Sequence, residues 1–238
     1  LTDVTGVQTC ALPIYFNNLH LSEVNGILEE LTVRKDTTSF NIYNLSFHES
    51  GGFNVRKMNS EFTIEDKTIL FKSSFINSDS SILNVPLVGL KPDSTGSFGN
   101  FIENVRLDIN LDRSVVYSSD LSHFLAPLDG MYESVNVSGR VFGTVAELRG
   151  RDIRIDYSDD TKLDCDFDLS GLPDIANSFI YLGVHQLNSS AGDIGGISIP
   201  GKGPLRLPEY FDKMGTISFN GSFTGFPTDF VAYGKLES

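Results

Sequence analysis

Between Val105 and Leu169 the chain repeatedly places an apolar residue at every second position. Val105-Arg-Leu107-Asp-Ile109-Asn-Leu111-Asp sets the pattern, and Val135-Asn-Val137-Ser-Gly139-Arg-Val141, Ile153-Arg-Ile155-Asp-Tyr157 and Leu163-Asp-Cys165-Asp-Phe167-Asp-Leu169 follow it. A period of two belongs to a β-strand with one apolar and one solvated face. Four successive strands therefore each present a greasy side, and what covers that side is the functional question.

The same pattern extends in both directions. Ile27 to Val33 is an expected strand, Phe40 to Phe47 a second, and Met58-Asn-Ser60-Glu-Phe62-Thr-Ile64-Glu alternates cleanly. Asp66-Lys67 turns the chain into Ile69-Leu-Phe71, and Asn77-Ser-Asp79-Ser turns it into Ile82 to Leu90. Antiparallel hairpins are the natural connection at such spacing. Ser97 to Val105 suits about two helical turns, and Ser119 to Leu125 a short helix capped by Ser119, with Asp120 in its first turn. After Gly171-Leu-Pro-Asp174, strands are expected at Phe179 to Leu187, Ile217 to Phe223 and Phe230 to Leu236, around a Gly- and Pro-rich loop from Asn188 to Pro208 and a helical turn at Pro208 to Lys213. A closed sandwich typically uses about seven to nine strands, and this pattern holds more. The expected fold is all-β: an elongated, curved, mainly antiparallel sheet forming an open apolar groove, with a few short helices.

Residues 1–14 stand apart. Val4 to Ile14 resembles, codon by codon, the in-frame translation of a common short-read sequencing adapter, so this segment is set aside and residues 15–238 are taken as one groove domain, expected to be a fragment of a longer protein. Without the segment, 30 acids stand against 18 bases, which argues against a nucleic-acid partner. Cys10 also goes. Cys165 then has no partner for a disulfide, and its place in an alternating run makes it a small buried hydrophobe. No run is long and apolar enough for a membrane-spanning helix.

Chemistry-bearing motifs fail on inspection. Gly196-Ile-Ser-Ile-Pro-Gly-Lys-Gly203 nearly spells a phosphate-binding loop, but its last position lacks the hydroxyl that holds magnesium and Pro204 follows where a helix should start. Asp164, Asp166 and Asp168 imitate the opening of a calcium loop that needs Gly and Glu where Leu169 and Ile175 stand, so the three acids read as the wet face of a strand. His20, His48, His123 and His185 lack the spacing of a zinc site, and no nucleophile elbow exists. The chain is not expected to be an enzyme, and no cofactor is implied.

Four segments carry a family resemblance: Phe124-Leu-Ala-Pro-Leu-Asp-Gly-Met131, Val137-Ser-Gly139-Arg-Val-Phe-Gly143-Thr-Val-Ala-Glu-Leu148, Phe167-Asp-Leu-Ser-Gly-Leu-Pro-Asp174 and Phe223-Thr-Gly-Phe-Pro-Thr-Asp-Phe-Val-Ala-Tyr-Gly234. Together they resemble the TamB family of translocation and assembly proteins, within the AsmA-like superfamily, from about Asn44 to the C-terminus. The resemblance implies a long parent protein in the envelope of a Gram-negative bacterium, anchored in the inner membrane and crossing the periplasm to an outer-membrane β-barrel partner. It implies a gutter-shaped (β-taco-like) sheet through which phospholipid passes, contributing to outer-membrane biogenesis. No catalytic residues transfer.

The residues expected to line the groove and meet acyl chains are Leu107, Ile109, Val137, Val141, Ile153, Ile155, Leu163, Phe167, Ile217 and Phe219. The blander alternative makes each a core residue of a closed, purely structural sandwich or a carbohydrate-binding module. A third possibility, a scaffold for outer-membrane protein assembly or secretion, would act through exposed sheet edges.

Overall fold

Period-two alternation builds one very large sheet. The computed structural model describes residues 19–94, 96–125, 128–196, 198–199, 203–204 and 215–238. Ten strands come first: β1 (Leu21–Arg34), β2 (Thr37–Glu49), β3 (Asn54–Glu65), β4 (Thr68–Ser78), β5 (Ile82–Pro92), β6 (Val105–Tyr117), β7 (Ser134–Gly143), β8 (Glu147–Asp156), β9 (Lys162–Ser170) and β10 (Phe179–Ser190). A two-residue pair, β11 (Ser198–Ile199) with β12 (Gly203–Pro204), interrupts them before β13 (Thr216–Phe226) and β14 (Asp229–Glu237). The helical pieces are short: a 3₁₀ turn (Ser97–Asn100) running into α1 (Phe101–Asn104), then α2 (Ser118–Ser122) and α3 (Ala191–Gly196).

Twelve strands form a single antiparallel sheet in the order β1 to β10, then β13 and β14, so that each pairs with the preceding strand of that sheet. The sheet is open and uncurled, and β1 and β14 do not meet. Among the described residues the strands pack substantially only on their sheet neighbours, with the helical pieces touching β6 and β10. Among the described residues the two-stranded β11–β12 pair is the only other sheet and none packs substantially on the large one, which is not the arrangement of a closed sandwich.

The strands run longer than the expected ones, because polar residues such as Asn77 and Asn188 extend the ladders without breaking them. Where a connection is tight its chemistry was visible: Asp66 and Lys67 occupy the left-handed region at φ 45° and 69° and close β3 onto β4. The helix expected from Ser119 to Leu125 is corrected. It covers Ser118–Ser122, its N-cap is Tyr117, and Ser119 makes no capping bond. The helical turn expected at residues 208–213 lies outside the described residues.

A line of bulges crosses the sheet. Register slips by a residue in the middle of the β2–β3, β3–β4, β6–β7, β7–β8, β8–β9 and β9–β10 ladders. Asn44, Ser73, Arg113 and Asp152 take positive φ there, and each bulge bends its strand. Gly139 belongs to this line, at φ 131°, where an added Cβ would sit 2.7 Å from the Asp152 carbonyl oxygen and 2.8 Å from Ile153 Cδ1. Both conformation and space forbid a side chain. Gly139→Ala should therefore lower the unfolding free energy by roughly 1–3 kcal/mol. Gly99→Ala, where nothing lies within 4 Å of the added atom, should be near neutral. Urea midpoints of the two variants make the comparison.

Candidate functional site

Residues directly opposite in an antiparallel ladder share a face, so the register fixes which side of the sheet each side chain takes. On one side a row starts at Phe40, Phe62 and Phe71, passes through Val88, Ile109 and Val141, and continues through Phe167, Leu182, Phe223 and Ala232. The row crosses eleven of the twelve strands. Its one small gap, Gly150 between Val141 and Phe167, is filled by the Phe167 ring, which an added Cβ would meet at 2.2 Å. A second row nearer the strand ends runs through Ile64, Ile69, Leu90 and Leu107 to Leu148, Leu169 and Ile180. A third, beyond the bulges, joins Val137, Ile155, Leu163, Leu187, Phe219 and Leu236.

All ten residues expected to line a groove fall on this side. Leu107, Ile109, Val137, Val141, Ile155, Leu163, Phe167 and Phe219 are half-buried. Ile153 and Ile217 are only 2% and 1% exposed, so the protein itself covers them. Ile153 belongs to a line of small or compact residues along the bulges, with Ile42, Ser60, Ser74, Val85, Ser114, Cys165 and Val184, every one buried. Each is flanked by bulkier neighbours, as Cys165 is by Leu163 and Phe167, which close over it at the bend. Burial, aided by the charges of Asp166 and Asp164, pushes the Cys165 thiol up to about 11, so it stays protonated as an inert hydrophobe. Phe40, Phe62, Phe71, Val88, Leu182 and Phe223 belong to the same face without having been named from sequence. Their signal was present in the Phe62–Ile64 alternation but weaker than in the central block. Phe40 stacks on Phe62 with centroids 4.5 Å apart, and Phe62 meets Phe71 edge-on at 5.1 Å.

The opposite side is dominated by charge. Arg140 donates two bonds to Asp108, at 2.8 and 2.9 Å, and Arg151 pairs with Asp168 at 2.7 Å. Both guanidiniums lie over the Phe142 ring, 5.1 and 5.9 Å from its centroid, which lets two arginines sit opposite each other in the β7–β8 ladder. The three acids of the imitation calcium loop project here from β9: Asp164 faces Arg154, Asp166 faces His185 and Asp168 faces Arg151. Among the described residues no group of three His, Cys, Asp or Glu is placed to hold a metal ion, and no helix is long and apolar enough to cross a membrane. Half of the near phosphate loop, residues 197 and 200–202, lies outside the described residues.

Loop segments rim the apolar side at the strand ends. The 3₁₀ turn packs on β6, where Val105 is fully buried. At the other end two acids anchor helices by a shared device that sequence reading missed. Asp120 of α2 accepts bonds from the Ser78 hydroxyl and the Ser81 and Ser80 amides, the latter two at 2.9 and 3.4 Å, in the β4–β5 hairpin. Asp193 of α3 accepts from the Ser158 hydroxyl and, at 2.8 Å, from Thr161 in the β8–β9 hairpin. The hairpins Ser78-Asp-Ser-Ser81 and Ser158-Asp-Asp-Thr161 share a pattern that could have signalled the repeat. His123, just after α2, donates from Nδ1 to the Gly51 carbonyl at 3.2 Å, and Phe124 meets Phe53 edge-on at 5.3 Å. The loop after β6 thus reaches back across two earlier hairpins.

Comparison of the chain with family models, with curated proteins and with solved structures gives no match. The geometry stands by itself: among the described residues there is one broad apolar face, one charged face and no group of acids, histidines or cysteines placed to hold a metal.

Burial opposes ionisation of Asp120, but the hydroxyl and amide donors of Ser78, Ser81 and Ser80 outweigh it and hold the carboxyl below its ordinary value. A depressed acid stabilises the fold above its unfolded pKa of about 4 and loses that contribution as pH falls through the lower, folded value. Asp120→Ala should cost roughly 1.5–3 kcal/mol at pH 7, as for a lost charged hydrogen-bond acceptor. The gap between variant and parent should narrow below about pH 4, where unfolding midpoints across pH 2–7 would reveal it.

Proposed function

We propose that this chain is a segment of a periplasmic groove protein that shields phospholipid tails in transit between the inner and outer membranes, and so contributes to outer-membrane biogenesis. One observation carries the reading: the apolar face runs across eleven of the twelve strands, and among the described residues only the strand ends are covered by other elements. At ordinary strand spacing and rise such a face measures on the order of 1,500 Å². Soluble monomers rarely leave contiguous apolar patches above a few hundred Å².

Acyl chains fit the requirement. They are apolar along their length and need no directional partner, so a lining without a polar centre is sufficient. Each half-buried Leu or Phe with about 50 Å² left in water gains roughly 1 kcal/mol when a tail covers it. The gain is distributed, so a tail can shift along the rows without breaking any fixed bond. Leu107, Ile109, Val137, Val141, Ile155, Leu163, Phe167 and Phe219 take this role, while Ile153 and Ile217 support them from beneath. The acidic opposite face keeps the sheet in solution. The periplasmic setting, and a barrel partner reached through a longer parent protein, rest on the likeness of the four segments to the TamB family, two of which form the β7–β8 and β13–β14 hairpins.

Mass spectrometry of lipid that copurifies with the chain tests the reading. Wild type should carry phospholipid, Ile109→Asp with Phe167→Asp should lose most of it while remaining folded by circular dichroism, and Asn110→Asp on the charged face should retain it. Equal lipid in all three, or none in any, would sink the proposal.

A further inference from the structure

We propose that the groove is divided into successive bays, each built from four strands and about 80 residues, and that each bay holds one phospholipid. The proposal rests on the lipid reading above and adds to it how the lipids are counted and where each one lies. Three devices recur four strands apart. The first is the pair of hairpins already described, Ser78-Asp-Ser-Ser81 between β4 and β5 and Ser158-Asp-Asp-Thr161 between β8 and β9, each of which binds an acid from the helix that follows the next strand. In each hairpin the first hydroxyl also accepts from the amide three residues on, that of Ser81 at 3.1 Å and that of Thr161 at 3.0 Å. The second is a 3₁₀ turn at the opposite rim, Ser97–Asn100 ahead of β6 and Ile175–Asn177 ahead of β10. The third lies within β3, β7 and β13. Met58-Asn-Ser60-Glu-Phe62, Val137-Ser-Gly139-Arg-Val141 and Phe219-Asn-Gly221-Ser-Phe223 set a small residue between two large apolar ones, at intervals of 79 and 82 residues. In sheet order, β4 to β7 form one unit, β8 to β10 with β13 form the next, and β3 takes the fourth place of the unit before.

The seams between units are poor in side chains. Gly139, Gly143 and Gly150 lie at the β7–β8 seam, and Gly221, Gly225 and Gly234 at the β13–β14 seam. Backbone fills the space instead: an added Cβ would stand 2.1 Å from the Glu147 carbonyl oxygen at Gly143, 2.2 Å from that of Tyr233 at Gly221 and 2.4 Å from that of Asp229 at Gly225. At Gly150 the gap is filled by the Phe167 ring, which comes from within the next unit. Apolar contact for a tail is therefore thinner at a seam than inside a unit, where Val88 and Ile109, or Phe167 and Leu182, stand side by side on adjacent strands. Length agrees with this division. Four strands about 4.8 Å apart span about 19 Å. A phospholipid tail covers about 15 Å as one leaflet of a bilayer. Fully extended, a tail of about sixteen carbons reaches about 19 Å, from C–C bonds of about 1.5 Å. One tail laid along the rows thus fills one unit.

Native mass spectrometry of the full chain, loaded with a phosphatidylethanolamine whose tails have about sixteen carbons, counts the lipids. Ile109 and Leu182 hold the same place in successive units, on the third strand of each and in the same row. Ile109→Asp should therefore remove one bound lipid, Leu182→Asp one, and the two together two, with circular dichroism showing which variants fold. A second measurement needs only the wild-type chain. Shortening the tails to about twelve carbons, about 14 Å when extended, should leave the number bound unchanged, because a bay takes one lipid whatever its length. A count that rises as the tails shorten, or that falls by anything other than one lipid per substituted unit in a folded chain, would overturn the bays and leave the lipid reading standing. Wild type that binds none would remove the lipid reading, and the bays with it.

Discussion

A sheet of twelve strands with an apolar side has to cover that side, and the described residues supply nothing to do so except at the rims. The hydrophobic effect normally closes such a structure, either with a second layer or by curling the sheet into a barrel. Here each connection between consecutive sheet strands returns the chain to the adjacent position, so the sheet grows sideways and never doubles over. The resulting stability is local. Each strand depends on its two neighbours and on the flanking side chains of its own row, much as repeat proteins depend on nearest-neighbour contacts.

The line of bulges makes a single layer tenable. A bend in mid-strand brings the rows on either side of it closer together, and the residues at the bend can then be buried without a partner layer. Their sizes follow from that crowding: Ser60 bonds to Ser74 at 2.8 Å, the Ser114 hydroxyl bonds both backbone groups of Asn84, and Cys165 and Val184 stand opposite each other. Larger residues would hold the flanking rows apart. The hydroxyls among them are paired, as buried polar groups must be, while the larger side chains on either side are left half-open.

Much of the fold was legible because period two holds along the strand on either side of each bulge, although it skips a residue across one, as between Gly150 and Ile153. The strands through Val105–Leu169 and the assignment of all ten expected lining residues to one side follow from alternation alone. Burial did not follow from it. Alternation gives Ile153 and Ile155 the same standing, yet the bulge at Asp152 places Ile153 in the bend, where it is sealed, and leaves Ile155 in the open row beyond. The rim anchors were hidden for a different reason. Asp120 and Asp193 lie 42 and 35 residues from the serines they bind, and no local pattern announces a contact at that range. Only the repeated Ser-Asp-x-Ser/Thr hairpins held a trace of it.

On the proposed function the two faces also divide the work of solubility and binding. Ion pairs such as Arg140–Asp108 and Arg154–Asp164 are exposed and individually worth little to stability. Placed across strands on one side only, they make that side unattractive to apolar matter and keep opposite charges in register. The other side carries almost no charge along its rows. An apolar ligand therefore meets a choice of surface already made by the alternation of the sequence, without a pocket to define it. Specificity on such a surface is for a class of matter rather than for a molecule, because a row of Leu, Val and Phe distinguishes hydrocarbon from water but not one hydrocarbon chain from another.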